Sequence, residues 1–170
     1  MPPYTPLPPI ELSLGRPEHA QEVAGLSRDL IEAGLGWSWT PERVLRSLRH
    51  PDTVVLIAPR PGHLAGFAIM HFGLEEAHLN LLAVRPRYRR SGLGRRLVHW
   101  LEQSALTAGI SVVYLETRDG NRGAQAFYRR LGYRRIGRVP AYYRGREAAV
   151  RMARDLWEPR FSGAPRPRQD

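Results

Sequence analysis

Apolar and polar positions change period several times along this chain, and each change marks an element. Ile10–Leu14 alternates, which predicts a strand. From Pro17 to Ala33 the apolar residues Ala20, Val23, Ala24, Leu26, Leu30 and Ile31 recur at helical spacing, and Gly34 and Gly36 stop the helix. Thr40-Pro41-Glu42 has a capping hydroxyl followed by proline at the first helical position, so a second helix runs from there to about His50. Thr53–Ala58 predicts a strand, 59–62 a turn, and Leu64–Phe72 and Ala77–Val84 two further strands. Leu93, Leu97, Leu101, Ala105 and Ala108 define a helix closed by Gly109. Ser111–Glu116 is a short, nearly continuous apolar strand, as expected at a sheet centre. Gly123–Leu131 is helical, with Gly132 as its cap, and Tyr133–Val139 and Glu147–Arg154 close the pattern as strands. The order β-α-α-β-β-β-α-β-α-β-β predicts an α/β protein with a mixed sheet and helices on its faces.

Length and composition narrow this picture. The 170 residues suit one ordinary domain with a core of its own. Residues 1–9, with five prolines, read as an extended arm, 10–157 as the domain and 158–170 as a tail. There is no cysteine, hence no disulfide frame, thiolate metal site or cysteine nucleophile. No apolar run approaches the roughly 20 residues of a membrane span. The first fifteen residues lack the basic and apolar regions of a signal peptide, so the expected location is cytoplasmic. The six histidines show no ligand spacing, and no metal is expected.

The net charge is +10, and all 26 basic side chains are arginine. Residues 1–84 hold 6 Arg against 9 acids, a balance of −3; residues 85–170 hold 20 against 7, a balance of +13. Codon bias accounts for arginine over lysine but not for this placement, so the second half is expected to face an anion.

The densest piece of that charge surrounds a strand-to-helix turn, Arg89-Arg90-Ser91-Gly92-Leu93-Gly94-Arg95-Arg96. A helix N-terminus offers unpaired N–H groups and a positive dipole end, and glycines let a phosphate approach them. Arginine suits planar, bidentate phosphate recognition. Glycine spacing alone equally fits a tight turn. A P-loop is excluded by the lack of lysine, and the dinucleotide fingerprint by Leu97 at its third glycine.

The fuller pattern Arg89-x-x-Gly92-x-Gly94 resembles the (Gln/Arg)-x-x-Gly-x-(Gly/Ala) signature of the GCN5-related N-acetyltransferase (GNAT) superfamily. The resemblance covers roughly Ile10 to Leu156. Within it, Leu82-Ala83-Val84, Pro86, Tyr88, Leu115-Glu116-Thr117-Arg118, Asn121, Phe127-Tyr128, Leu131-Gly132-Tyr133 and Tyr142-Tyr143 are most similar to the ribosomal-protein alanine N-acetyltransferase branch. It implies the GNAT fold: a mixed, mostly antiparallel central sheet of about seven strands with helices on both faces. It also implies acetyl-CoA as cofactor, with Arg89, Arg90, Ser91, Gly92, Leu93, Gly94 and Arg95 around the pyrophosphate. Leu82, Ala83 and Val84 would meet the pantetheine and acetyl group through their backbone, and Asn121 the pantetheine arm, although a helix cap is reason enough for that Asn.

Transfer of acetyl from a thioester to an amine needs a neutral amine, stabilisation of the oxyanion and a proton for the leaving thiolate. On position alone, Glu116 ends a buried strand and is expected to pair with Arg118 or another arginine. The resemblance makes it the general base, acting through water, and makes Tyr128 both the general acid and a neighbour of the cofactor. Tyr128 otherwise reads as a core aromatic beside Phe127. The arginines at 129, 130, 134, 135 and 138 read as solvated surface, with some in reach of the 3′-phosphate.

The expected acceptor is a primary amine, first a protein N-terminus. At pH 7.5 roughly a third of α-amines are neutral against about one lysine in a thousand, so a modest base suffices for the former. Tyr142 and Tyr143 resemble the tyrosine pair bordering the peptide in that branch, and Trp37 and Trp39 would wall the acceptor groove; an edge-strand pair and packing on the sheet rim are their structural alternatives. Two departures fall on this side: only Arg144-Gly145 separate the tyrosines from Arg146-Glu147, and Ala148 replaces the usual Asp. Small-amine acetylation and a catalytically silent acyl-CoA-binding module are the rival functions, and a monomer or homodimer is expected. A nucleic-acid partner is disfavoured by the lack of aromatic–basic interleaving.

Overall fold

The computed structural model describes residues 8–158. Most of the expected arm and nearly all of the tail fall outside these. Seven strands and four α-helices follow the predicted order: β1 Ser13–Leu14, α1 Ala20–Leu30, α2 Pro41–Arg49, β2 Thr53–Arg60, β3 His63–Phe72, β4 Glu76–Val84, α3 Leu93–Thr107, β5 Val112–Arg118, α4 Arg122–Arg130, β6 Arg134–Tyr143 and β7 Glu147–Asp155. Short 3₁₀ turns occupy Pro17–His19 and Pro86–Tyr88. The result is a mixed α/β protein with a seven-stranded, mostly antiparallel sheet.

The chain forms two compact units, one built from residues up to His71 with Leu79–Leu101, the other from Phe72–His78 with the chain from Glu102 on. In the first, strands run in the order β1-β2-β3-β4. Its core packs Ala20, Val23, Ala24 and Leu26 of α1 and Val44 of α2 against Val55, Ile57, Phe67, Ile69 and Leu81 of the strands. Full burial of a Val, Leu, Ile or Phe side chain contributes about 1.5–3 kcal/mol. In the second unit the order is β5-β7-β6, and Leu115, Val150 and Met152 are buried.

In the first unit three elements differ from the expectation. The first strand pairs over two residues rather than five: Ser13 faces Ile57 and Leu14 faces Leu56, so Leu12 would meet Ala58, where β2 bulges beside Pro59. Proline has no N–H for a ladder, which is why the pairing stops there. The same bulge lets β2 continue through Arg60 instead of turning at Pro59. The first helix is a 3₁₀ turn over Pro17–His19, then α1 only as far as Leu30.

Candidate active site

The loop between β4 and α3 belongs to the first unit. After the Pro86–Tyr88 turn, Arg89 Nε donates to the Val84 carbonyl at 3.1 Å and Ser91 Oγ to the Tyr88 carbonyl at 2.5 Å. Gly92 has φ +81°, which a side chain would strain, and a Cβ built there meets nothing within 4 Å. The first bond of α3 closes from Arg96 N to the Gly92 carbonyl, leaving the amides of the first turn pointing off the helix end. That turn holds no acidic residue. Leu93 is buried and anchors the helix, while Arg89, Arg90, Ser91, Gly92 and Arg95 are exposed. An open, positive, glycine-lined helix end fits a pyrophosphate. Leu82 and Val84 are half-buried on one side of β4, and Ala83 is buried on the other.

Trp37 and Trp39 lie on the loop that joins α1 to α2. This loop is organised by the buried Glu32 carboxylate, which accepts from Ser27 Oγ at 3.0 Å, Ser38 N at 2.8 Å and Trp39 N at 3.2 Å. Trp37 donates its indole N–H to the Ala24 carbonyl at 3.1 Å, and Trp39 packs on the core with the Arg43 guanidinium 3.9 Å over its other face.

The second unit holds a cluster of titratable groups around Glu116. In β5 Glu116 stands directly opposite Arg151 of β7, and Arg151 Nε donates to Glu116 Oε1 at 3.1 Å. The other carboxylate oxygen, Oε2, bonds His78 Nε2. Glu116's side chain is 9% exposed, whereas His78 and Arg151 are 37% and 42% exposed. Burial by itself raises the carboxyl's pKa, but the hydrogen bonds and charges of His78 and Arg151 outweigh it and hold Glu116 below the usual carboxylate range. The expected arginine partner is therefore Arg151; Arg118 instead pairs with Glu147 at 2.7 Å.

Two tyrosines, Tyr142 and Tyr143, lie within electrostatic reach of this carboxylate. Strand β6 is bulged between Val139 and Tyr143, with Ala141 at φ +53°, and the bulge carries Tyr142 and Tyr143, whose rings meet edge to face at 4.9 Å. Burial first, then the Glu116 charge, raises the Tyr142 phenol; burial, Tyr142 and Glu116 raise Tyr143 further. Tyr128, near the end of α4, is buried against Phe127 and Tyr133 at ring distances of 5.0 and 5.5 Å. Burial, with a smaller contribution from Tyr143, pushes its phenol far above the ordinary value, so it stays protonated. Asn121 caps α4, its Oδ1 accepting from Ala124 N at 3.0 Å.

Glu116, Tyr128, Tyr142 and Tyr143 thus share one unit with Asn121, and the sequence reading missed His78 and Arg151. The signal for His78 was its place in β4: with Asn80 it is a polar residue on the half-buried face of an otherwise apolar strand. Among the described residues no group of three or more His, Asp or Glu is placed to hold a metal ion. No helix there is long and apolar enough to cross a membrane.

Residues 24–133 match the sequence profile of the acetyltransferase (GNAT) family. The chain belongs to this family. It is 40% identical over 95 residues to the [ribosomal protein bS18]-alanine N-acetyltransferase of Escherichia coli strain K12, covering 54% of this chain and 64% of that protein, so the match spans just under two thirds of that relative. It is 36% identical over 126 residues to the N-alpha-acetyltransferase RimI of Mycobacterium tuberculosis, covering 71% of this chain and 78% of the relative. The crystal structure of the ribosomal-protein-S18-alanine N-acetyltransferase from Escherichia coli superposes with a TM-score of 0.72 at 25% identity, over 91% of this chain and 98% of that one. The GNAT fold implied by the sequence is the fold observed.

Proposed function

We propose that this GNAT protein transfers an acetyl group directly from acetyl-CoA to a primary amine, with a protein N-terminal α-amine as its first acceptor. The observation that carries this reading is the Glu116 carboxylate held between His78 and Arg151, with the protonated Tyr142 and Tyr143 within reach of its charge. Acetyl-CoA supplies an activated thioester. The glycine-lined end of α3, with Arg89, Arg90, Ser91, Gly92, Leu93, Gly94 and Arg95, holds its pyrophosphate, and Leu82, Ala83, Val84 and Asn121 serve the pantetheine arm. Glu116 fixes the His78 ring by accepting from Nε2–H, which leaves Nδ1 as the basic nitrogen. The pair takes the proton from the incoming ammonium, through Glu116 and water or through His78. Tyr128, kept neutral by burial, holds the proton that the departing thiolate requires. Tyr142 and Tyr143, with Trp37 and Trp39, border the acceptor. An intracellular thioester as co-substrate places this activity in the cytoplasm.

The test is an acetyl-CoA turnover screen over N-terminal peptides, lysine peptides, polyamines and aminoglycosides. Fastest turnover on N-terminal peptides is expected. Preference for a polyamine or aminoglycoside would replace the acceptor, and binding of acetyl-CoA with no turnover on any amine would leave a silent acyl-CoA-binding module.

A further inference from the structure

His78, Glu116 and Arg151 all belong to the second unit, and their bonds decide which of them can accept a proton. Glu116 is a poor base in this setting. Its side chain is 9% exposed, and each carboxylate oxygen already holds a donor: Oε1 the Arg151 Nε–H at 3.1 Å, Oε2 the His78 ring. Burial raises its pKa, yet the bonds and charges of His78 and Arg151 hold the group below the usual carboxylate range. A guanidinium stays charged at every working pH, so Arg151 keeps Glu116 ionised. A proton placed on Glu116 would leave that buried-side guanidinium charge uncompensated. An ionised carboxylate only accepts, so the bonded His78 nitrogen, Nε2, carries the hydrogen and Nδ1 carries the lone pair. Nδ1 has no partner among the described residues, and the His78 side chain is 37% exposed.

We propose that His78 Nδ1 is the atom that takes the proton from the acceptor ammonium, and that Glu116 and Arg151 are positioning residues that hold the ring in the tautomer this requires. The assignment rests on the acetyltransferase reading and chooses between its two proton routes. In the step, an N–H bond of the ammonium breaks, its electron pair stays on the amine nitrogen, and the proton bonds Nδ1. The imidazolium keeps its Nε2–H on Glu116, whose charge stabilises it. The neutral amine attacks the thioester carbonyl, and the exposed ring later gives its proton to solvent. Arg151 fixes which atom residue 116 offers to the ring. In Glu116→Gln the single amide oxygen is claimed by the Arg151 N–H, so the NH₂ group turns to His78 and forces Nε2 to accept. The ring hydrogen then sits on Nδ1, and the base is lost with the imidazole still in place.

The experiment is chemical rescue in the full chain, with acetyl-CoA and an N-terminal peptide. His78→Ala and His78→Gln should each lose about 10²–10³-fold in kcat, and added imidazole should restore His78→Ala at least about tenfold. Methylated imidazoles of higher pKa should rescue faster, as general-base catalysis requires. Imidazole should not rescue Glu116→Gln, and the His78→Gln, Glu116→Gln double variant should lose no more than the worse single one, because the two residues act as a unit. Melting curves confirm that the variants fold, and nitrogen NMR of the labelled ring should show the hydrogen on Nε2 in wild type and on Nδ1 in Glu116→Gln. Activity of either His78 variant within about threefold of wild type would return the proton to Glu116 and overturn the proposal. So would a loss in His78→Ala that no imidazole restores, additive losses in the double variant, or a wild-type ring with its hydrogen on Nδ1. A wild type that turns over no amine fails the acetyltransferase reading and this step with it; a wild type that acetylates the peptide while the His78 variants keep pace fails this step alone.

Discussion

Two well-buried glutamates of the second unit each bond an arginine, and they are built for opposite purposes. Glu102 bonds Arg154 at 2.6 Å and the Tyr133 hydroxyl at 3.1 Å, with only 2% and 9% of the two charged side chains exposed. Even the glycine beside it is fitted to the pair: Gly132 has φ +98°, and a Cβ there would stand 3.3 Å from Arg154 Nε. Glu116 bonds Arg151 just as directly, but the arginine and His78 open to solvent and tyrosines border the group. A saturated, sealed carboxylate fixes structure; a carboxylate sealed on one side and joined to an exposed imidazole can exchange protons. Burial of the carboxylate alone does not separate these roles; the exposure of its partners does.

The largest effect should come from breaking the sealed pair. Glu102→Leu strands a buried guanidinium, which costs about 3–5 kcal/mol and lowers the melting temperature by roughly 6–20 °C. Scanning calorimetry checks this. Glu116→Gln should lose turnover by about 10²–10³-fold, the usual worth of a positioned acid–base group, while solvent limits its stability loss to about 1 kcal/mol. A variant at 116 that melts like the Glu102 variant would erase the distinction between the two sites. Gly92→Glu, in the first unit, sets a carboxylate at the candidate phosphate-binding helix end and should weaken acetyl-CoA binding at least about 100-fold, read by titration.

The smallest effect is in pH. Because folding lowers the Glu116 pKa, its pairing stabilises the protein above the ordinary carboxylate value, about 4.3, and that contribution disappears as pH falls through the lower folded value. The melting-temperature gap between wild type and Glu116→Gln should therefore be constant from pH 8 to about 5 and close below about 4. A gap that closes near pH 6 would assign the stabilisation to a group other than this carboxylate.

Local signals made much of the fold legible. Thr40 and Pro41 start α2 where the capping rule puts it, with the Thr40 side chain accepting from Arg43 N, and Gly109 at φ +81° ends α3. What pattern could not supply were features set by pairing. Pro59 and Pro140 read as stops, yet both strands pass them through bulges, and in β6 the bulge is what delivers Tyr142 and Tyr143. Of the cluster, Glu116 and the tyrosines were readable through their motifs. His78 was not, because its meaning comes from a partner 38 residues away on another strand. Arg151 was one of 26 arginines until the β5–β7 register set it opposite Glu116.

The most direct test follows an alanine-initiated peptide by mass spectrometry, with wild type and Glu116→Gln compared at saturating acetyl-CoA. Acetylation of the peptide α-amine by wild type, slowed at least about 100-fold in the variant, is the expected result. Equal rates in the two proteins, or bound acetyl-CoA with no transfer by wild type to any primary amine, would contradict it.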